Sequence, residues 1–162
     1  MSALYLPYTH ECFVCGVNNP HGLQLKFRFE HGEIRADFRP KPHHAGYKGM
    51  VHGGVTASAL DEAMFWAAAY AKKQFHVSVE LTVRYQQKIE VSRDYLLVAR
   101  VSRQLRQVCL TEGELRDAAG ERCATATGKY FPMAAEDVPL GAEDFYPDPV
   151  TVPPGEFFGS KP

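Results

Sequence analysis

The stretch Gly53-Gly54-Val55-Thr56-Ala57-Ser58-Ala59-Leu60-Asp61-Glu62-Ala63-Met64-Phe65-Trp66-Ala67-Ala68-Ala69-Tyr70-Ala71-Lys72 decides the fold. Alanine, the strongest helix former, recurs through it. A helix is therefore predicted from about Gly54 to Lys72. Between Lys48 and Lys72 the only formal charges are Asp61 and Glu62. A helix that is apolar nearly all round is a buried one. A sheet should wrap one side of it. The small residues permit close approach on the other side, as to a second copy of the same helix.

The flanking sequence supplies that sheet. Upstream, Leu23, Leu25, Phe27 and Phe29 alternate with Gln24, Lys26, Arg28 and Glu30, the pattern of a half-buried strand. His31-Gly32 reads as a tight turn into a second strand through Ile34, Ala36 and Phe38. Arg39 to Met50, with two prolines and paired histidines, reads as a loop. Downstream, Val77, Val79, Leu81, Val83 and Tyr85 alternate over a long strand. Leu97, Ala99 and Val101 mark another. Gln107 to Arg116 and Arg122 to Phe131 form a last pair, turned at Asp117 to Gly120. One long helix against an antiparallel sheet is an α+β layer arrangement.

Composition narrows the function. The 162 residues suit one domain with appendages. Lys plus Arg number 18 and Asp plus Glu 19, so no basic excess marks a nucleic-acid partner or an anionic membrane surface. Met1 to His10 lacks the basic start and apolar core of an export signal. With four cysteines and no such signal, free thiols and a cytoplasmic location are expected. Three segments are expected: a turn-rich Cys-x-x-Cys segment at residues 1–22, the folded domain at 23–132, and an acidic, proline-rich arm at 133–162. The arm's Phe145, Tyr146, Phe157 and Phe158 favour docking on the body, because apolar area gains free energy when removed from water.

Chemistry concentrates at the helix. A carboxylate in an apolar helix costs free energy unless it is paired or faces a cleft. Asp61 and Glu62 lie about 100° apart around the axis, so they are expected to face different ways. One is a candidate general base; a rim position paired with arginine is the bland alternative. At the helix start, His52-Gly53-Gly54 leaves backbone N–H groups open to a ligand oxygen, the arrangement of an oxyanion site. Gly53 and Asp61 are eight residues apart, or ~12 Å along the axis. One helix cannot bring both to one small reacting group. If both act on one carbonyl, a second chain contributes one of them, and a symmetric dimer does so twice.

Gly49-Met50-Val51-His52-Gly53-Gly54-Val55 followed by Leu60-Asp61-Glu62-Ala63 resembles the signature of hotdog-fold acyl-CoA thioesterases of the phenylacetate-pathway type. Cys12-Phe13-Val14-Cys15-Gly16 with Asn19-Pro20-His21-Gly22-Leu23, and Val77 to Tyr85, are similar to other parts of that superfamily, so the resemblance runs from Cys12 to Phe131. It implies a hotdog fold, one long central helix wrapped by a curved antiparallel sheet, assembled as a homodimer or homotetramer. It implies hydrolysis of an acyl-CoA thioester to the free acid and CoA. By the same resemblance Gly53 gives its N–H to the thioester carbonyl, and Asp61 of the facing subunit activates water or attacks directly. Ser78 helps hold the water, and Gly54 joins the substrate site. His52 orients the loop or bonds the thioester, or else caps the turn. Gly46 stands where many relatives carry Asn or Gln, six residues before the histidine. This motivates the alternative of a non-catalytic acyl-CoA or fatty-acyl binding protein. His43 or His44 is the stand-in donor, although loop histidines are mostly exposed.

Weaker signals remain. Arg84 and Lys88 sit near a strand end where coenzyme A phosphates are a possible partner. Cys12 and Cys15 with His10 or His21 make half of a zinc site, but no second Cys-x-x-Cys completes it. A structural turn with free thiols, no metal and no cofactor is therefore expected. Cys109 and Cys123 fall in strands and are expected in the core. A hydroxyacyl-thioester dehydratase needs a catalytic histidine and acid in a motif the chain lacks.

Overall fold

The computed structural model describes residues 3–158. Met1, Ser2 and residues 159–162, the ends of the expected terminal segments, lie outside the described residues. In chain order the elements are β1 (Leu4–Tyr5), β2 (Arg28–Glu30), β3 (Glu33–Phe38), β4 (Ala45–Tyr47), β5 (Met50–Val51), α1 (Gly53–Lys72), β6 (His76–Tyr85), β7 (Tyr95–Gln104), β8 (Cys109–Asp117), β9 (Arg122–Pro132) and α2 (Pro154–Phe157). Seven strands form one antiparallel sheet in the order β1-β2-β3-β7-β8-β9-β6. The sheet curves around α1, which packs against β3, β6, β7, β8 and β9. This is the α+β arrangement the hydrophobic pattern predicts.

The helix buries a broad stripe: Ala59, Leu60, Ala63, Met64, Ala67 and Ala68 are all but inaccessible. Alanines let the backbone lie close to the sheet, while Leu60 and Met64 fill what remains. Opposite them on β8, a Cβ added at Gly113 would lie 3.1 Å from Met64 Cγ and 3.3 Å from Leu60 Cδ2. A larger residue there would push the helix off the sheet. The helix begins where the His52 imidazole accepts the Gly54 N–H, and ends at Lys73 in the left-handed conformation, whose N–H reaches the Ala69 carbonyl.

Two parts of the chain depart from their expected form. Regular pairing of the upstream strand covers only Arg28–Glu30, although Leu23, Leu25 and Phe27 are buried in alternation as expected. Gln24 takes a positive φ of 54°, and the run is hydrogen-bonded to the irregular segment before it, Leu23 N–H to Phe13 O and Leu25 N–H to Val14 O. A partner that is not a strand cannot sustain a ladder. The 39–50 loop contains the short β4–β5 hairpin and a 3-10 turn at Pro42–His44. His44, expected at the surface, is buried: its ring takes the Lys41 N–H on Nδ1 and lies 3.3 Å from His21 O on Nε2.

The described parts of both terminal segments pack on the body. Leu6, Tyr8, Val14 and Cys15 join the core, as do Cys109 and Cys123 in their strands. The proline-rich arm docks: Phe145 and Phe157 are buried, Phe158 stacks on Phe75 at 3.9 Å, Tyr146 stacks on Tyr8, and Tyr8 donates its hydroxyl to Asp148 at 2.7 Å.

By contrast, β6 lies at one edge of the sheet and keeps Val77, Val79, Leu81 and Tyr85 exposed, with Val79 at 55%. The alternation there marks a strand whose apolar side chains the single chain does not cover.

Two outcomes follow from the packing. Leu60→Ala should cost roughly 2–5 kcal/mol in chemical denaturation, because the site is fully enclosed and cannot collapse freely. His76, buried with Nδ1 at 2.8 Å from Gln74 O, is held below the ordinary histidine pKa, first by burial and then by Lys72. The unfolded chain therefore takes up the proton first as pH falls. His76 removes stability progressively below pH ~6.5. Urea melts of His76→Gln should show less loss of stability on acidification than the parent; an identical pH slope would contradict this.

Candidate functional site

A cavity of about 870 Å3 opens between the middle of α1, the start of β6, β9 and the two docked termini. Asp61 and Glu62 both line it, with Cys12 and Cys15 from the N-terminal turn, Ser78 from β6, Tyr130 from β9, and Phe145 from the arm. The expectation that two neighbouring carboxylates face apart is corrected here. The angular separation holds on the helix, but the cavity wraps far enough around it to receive both. Nor is either carboxylate in an ion pair among the described residues, which sets aside the rim-arginine alternative.

Asp61 is fixed by a residue that sequence reading missed. The Tyr130 hydroxyl donates to Asp61 Oδ1 at 2.7 Å and lies 3.0 Å from the Asp61 carbonyl oxygen. Burial, then the Asp61 charge, pushes the Tyr130 phenol well above its ordinary value, so it stays a donor. The ring reaches the helix by lying back along its own strand: a Cβ at Gly128 would sit 2.5 Å from it. The signal was present as the inward alternation Ala124, Ala126, Gly128, Tyr130, where small residues leave room for one large polar-tipped ring.

Glu62 faces the N-terminal turn. Cys12 Sγ lies 3.2 Å from Glu62 Oε2, within hydrogen-bond distance. The neighbouring Cys15 thiol holds Cys12 down at about 5, whereas Cys15 is pushed up by that same contact and by burial. Burial, then the Cys12 charge, pushes the Glu62 carboxyl up.

The helix start opens elsewhere. His52, Gly53, Gly46, Tyr47 and Tyr85 line a second, smaller cleft of about 390 Å3. His52 caps: its Nδ1 takes the Gly54 N–H at 2.9 Å, so that amide is already spent. The Gly53 N–H meets no acceptor among the described residues, and its carbonyl takes the Tyr85 hydroxyl at 2.7 Å. Gly46 has a packing reason, since a Cβ there would lie 3.0 Å from His52 Cδ2. His44 is not free to replace a missing amide, because its ring is engaged with backbone.

Asp61 and Ser78 thus share the large cavity, while Gly53 and His52 share the small one. The remaining three expected residues line neither: Gly54, expected in the substrate site, has its N–H bound to His52. Arg84 lines a polar cleft with Glu112, Glu114 and Glu121, and Lys88 pairs with Glu90 at 3.1 Å. One chain keeps the acid and the backbone donor apart, as the helix rise requires.

Residues 48–124 match the family model described as the thioesterase superfamily. An uncharacterised protein of Schizosaccharomyces pombe is 32% identical over 96 residues, which cover 56% of this chain and 55% of that protein. The chain therefore spans about half the length of this curated relative. A thioesterase superfamily protein of known crystal structure superposes with a TM-score of 0.69 at 22% identity, over 76% of this chain and 60% of that one. A Bacillus halodurans protein solved with CoA superposes at 0.63 with 27% identity, over 69% of this chain and 76% of that one. No helix among the described residues is long and apolar enough to cross a membrane. With its long helix wrapped by an antiparallel sheet, the chain has the hotdog fold, and residues 48–124, which hold that helix and the strands after it, match the thioesterase superfamily model.

Proposed function

We propose that the protein hydrolyses an acyl-CoA thioester to the free acid and CoA. The observation that carries this reading is Asp61, held by Tyr130 on the wall of a largely apolar cavity, with a free Gly53 N–H at the far end of the same helix. The CoA held by the Bacillus halodurans relative supports the substrate class. Asp61 acts as the base for water, or as the nucleophile itself. The Gly53 N–H of a second chain, at a helix N-terminus, stabilises the oxyanion, a contribution of about 3 kcal/mol in the transition state. A thiolate leaves readily, so no strong general acid is required. Ser78 lines the Asp61 cavity and positions the water. His52 acts by capping, which leaves Gly53 as the donor in place of Gly54.

Two chains are needed, and β6 supplies the means. Its edge position and exposed Val77, Val79, Leu81 and Tyr85 suit pairing with β6 of another copy, which would cover apolar side chains and unpaired backbone together. The family's homodimer or homotetramer is thus a proposal with a physical motive. The cytoplasmic location and the division at residues 22 and 132 stay with this reading. Arg84 and Lys88 remain proposed phosphate contacts, to be met only in an assembly.

The binding-only alternative rests on Gly46, which offers no side-chain amide to the carbonyl. Release of free CoA from a panel of acyl-CoAs separates the two. Asp61→Asn should lower kcat/KM ~10²–10⁴-fold while the fold and CoA affinity persist. Tyr130→Phe, which keeps the carboxylate but frees it, should fall between this variant and the parent. Full turnover by Asp61→Asn would remove the residue from the mechanism, and tight binding with no CoA release by the parent would favour the binder. Val79→Asp should reduce both assembly, read by sedimentation, and turnover; a fully active monomer would overturn the two-chain mechanism.

A further inference from the structure

We propose that Cys12, Cys15 and Glu62 form a binding site for a divalent, thiophilic metal ion of the zinc type, with one coordination position open to the large cavity. The inference does not rest on the hydrolase reading. It concerns a cluster that the proposed mechanism leaves unused.

The turn is built to present two sulfurs together. In Cys12-Phe13-Val14-Cys15-Gly16, the Gly16 N–H closes onto the Cys12 carbonyl at 2.8 Å. The Val14 N–H points at Cys12 Sγ at 3.3 Å, which favours a thiolate there. Residue 16 must be glycine, because a Cβ would collide with the Cys12 backbone. The third donor comes from the helix. Glu62 is fifty residues further along the sequence, which is why the sequence reading found only half a site. The donor atoms of all three residues lie within 4.8 Å of one another. A tetrahedral zinc, with bonds of about 2.3 Å to sulfur and about 2.0–2.2 Å to oxygen, holds its donors roughly 3.5–3.8 Å apart.

Charge argues the same way. Among the described residues, three acidic side chains meet where no lysine or arginine lines the cavity, and Glu62 has no ion pair. Gathering acids in a half-enclosed place is costly without a cation or extra protons. Two thiols with one carboxylate select zinc-like ions over magnesium or calcium, which prefer all-oxygen shells. Cys12 and Glu62 are only half-buried and line the cavity, so a fourth ligand would be water or an atom of a bound molecule.

Cobalt(II) reports this geometry directly. The reduced, full-length chain, stripped with chelator, should bind one cobalt with the intense visible bands of a tetrahedral site and thiolate-to-cobalt charge-transfer bands. Zinc should displace them. Glu62→Gln, which keeps the size but loses the charge, should weaken cobalt binding at least ~10-fold. Cys12→Ser/Cys15→Ser should abolish the charge-transfer bands while far-ultraviolet circular dichroism persists. Absence of charge-transfer bands in the parent would overturn the proposal, as would bands that survive in the double variant. Recovery of a Cys12–Cys15 disulfide whose reduction restores no cobalt binding would also overturn it. If the double variant fails to fold, Glu62→Gln decides: an unchanged affinity for cobalt would refute a three-donor site.

Discussion

The close approach of an alanine-rich helix to a curved sheet is the constraint on which the rest of this structure depends. Leu60 and Met64 occupy the space that Gly113 leaves open, and the surrounding alanines admit no water. A helix enclosed in that way has little room for charge. Its two carboxyl groups must therefore emerge where the enclosure stops, at the edge of the sheet. The large cavity is that edge, closed over by the N-terminal turn and the C-terminal arm. Packing and chemistry are thus linked: the same burial that stabilises the domain confines its acidic groups to one opening.

The helix also sets a distance. Its capped start and its acidic middle are separated by eight residues of regular rise, and they open into different clefts of the chain. Chemistry that uses both ends must borrow one of them. The exposed apolar stripe on β6 is consistent with such borrowing, since an edge strand left uncovered is costly in water and prone to pairing. Assembly and function are therefore one question for this fold.

Much of the architecture was legible in the sequence. Period-2 alternation located β3 and β6 through β9, and the alanine run located α1, because those elements contact broad regular surfaces and their patterns survive folding. The upstream run Leu23–Glu30 was legible in burial but not in ladder, because its partner is an irregular segment. His44 was misread for a related reason: a loop looks exposed in sequence, yet this one is folded under and its imidazole replaces backbone partners. The alternation of β9 turns Tyr130 inward, but neither its bond to Asp61 nor the Cys12–Glu62 contact was legible, since nothing in local spacing announces which distant side chain will cross a cavity.

By itself the sequence determined the order of the main elements, the buried character of the helix and the impossibility of one helix serving both ends of a small reaction. These follow from periodicity, propensity and a fixed rise per residue, all local quantities. Only the tertiary structure decided that Asp61 is held by Tyr130, that Glu62 turns to two cysteines fifty residues away, and that the arm roofs the cavity. Those outcomes depend on which surfaces meet after the sheet curls around the helix. Such long-range contacts are set by shape complementarity across the whole chain, which no short window of sequence contains.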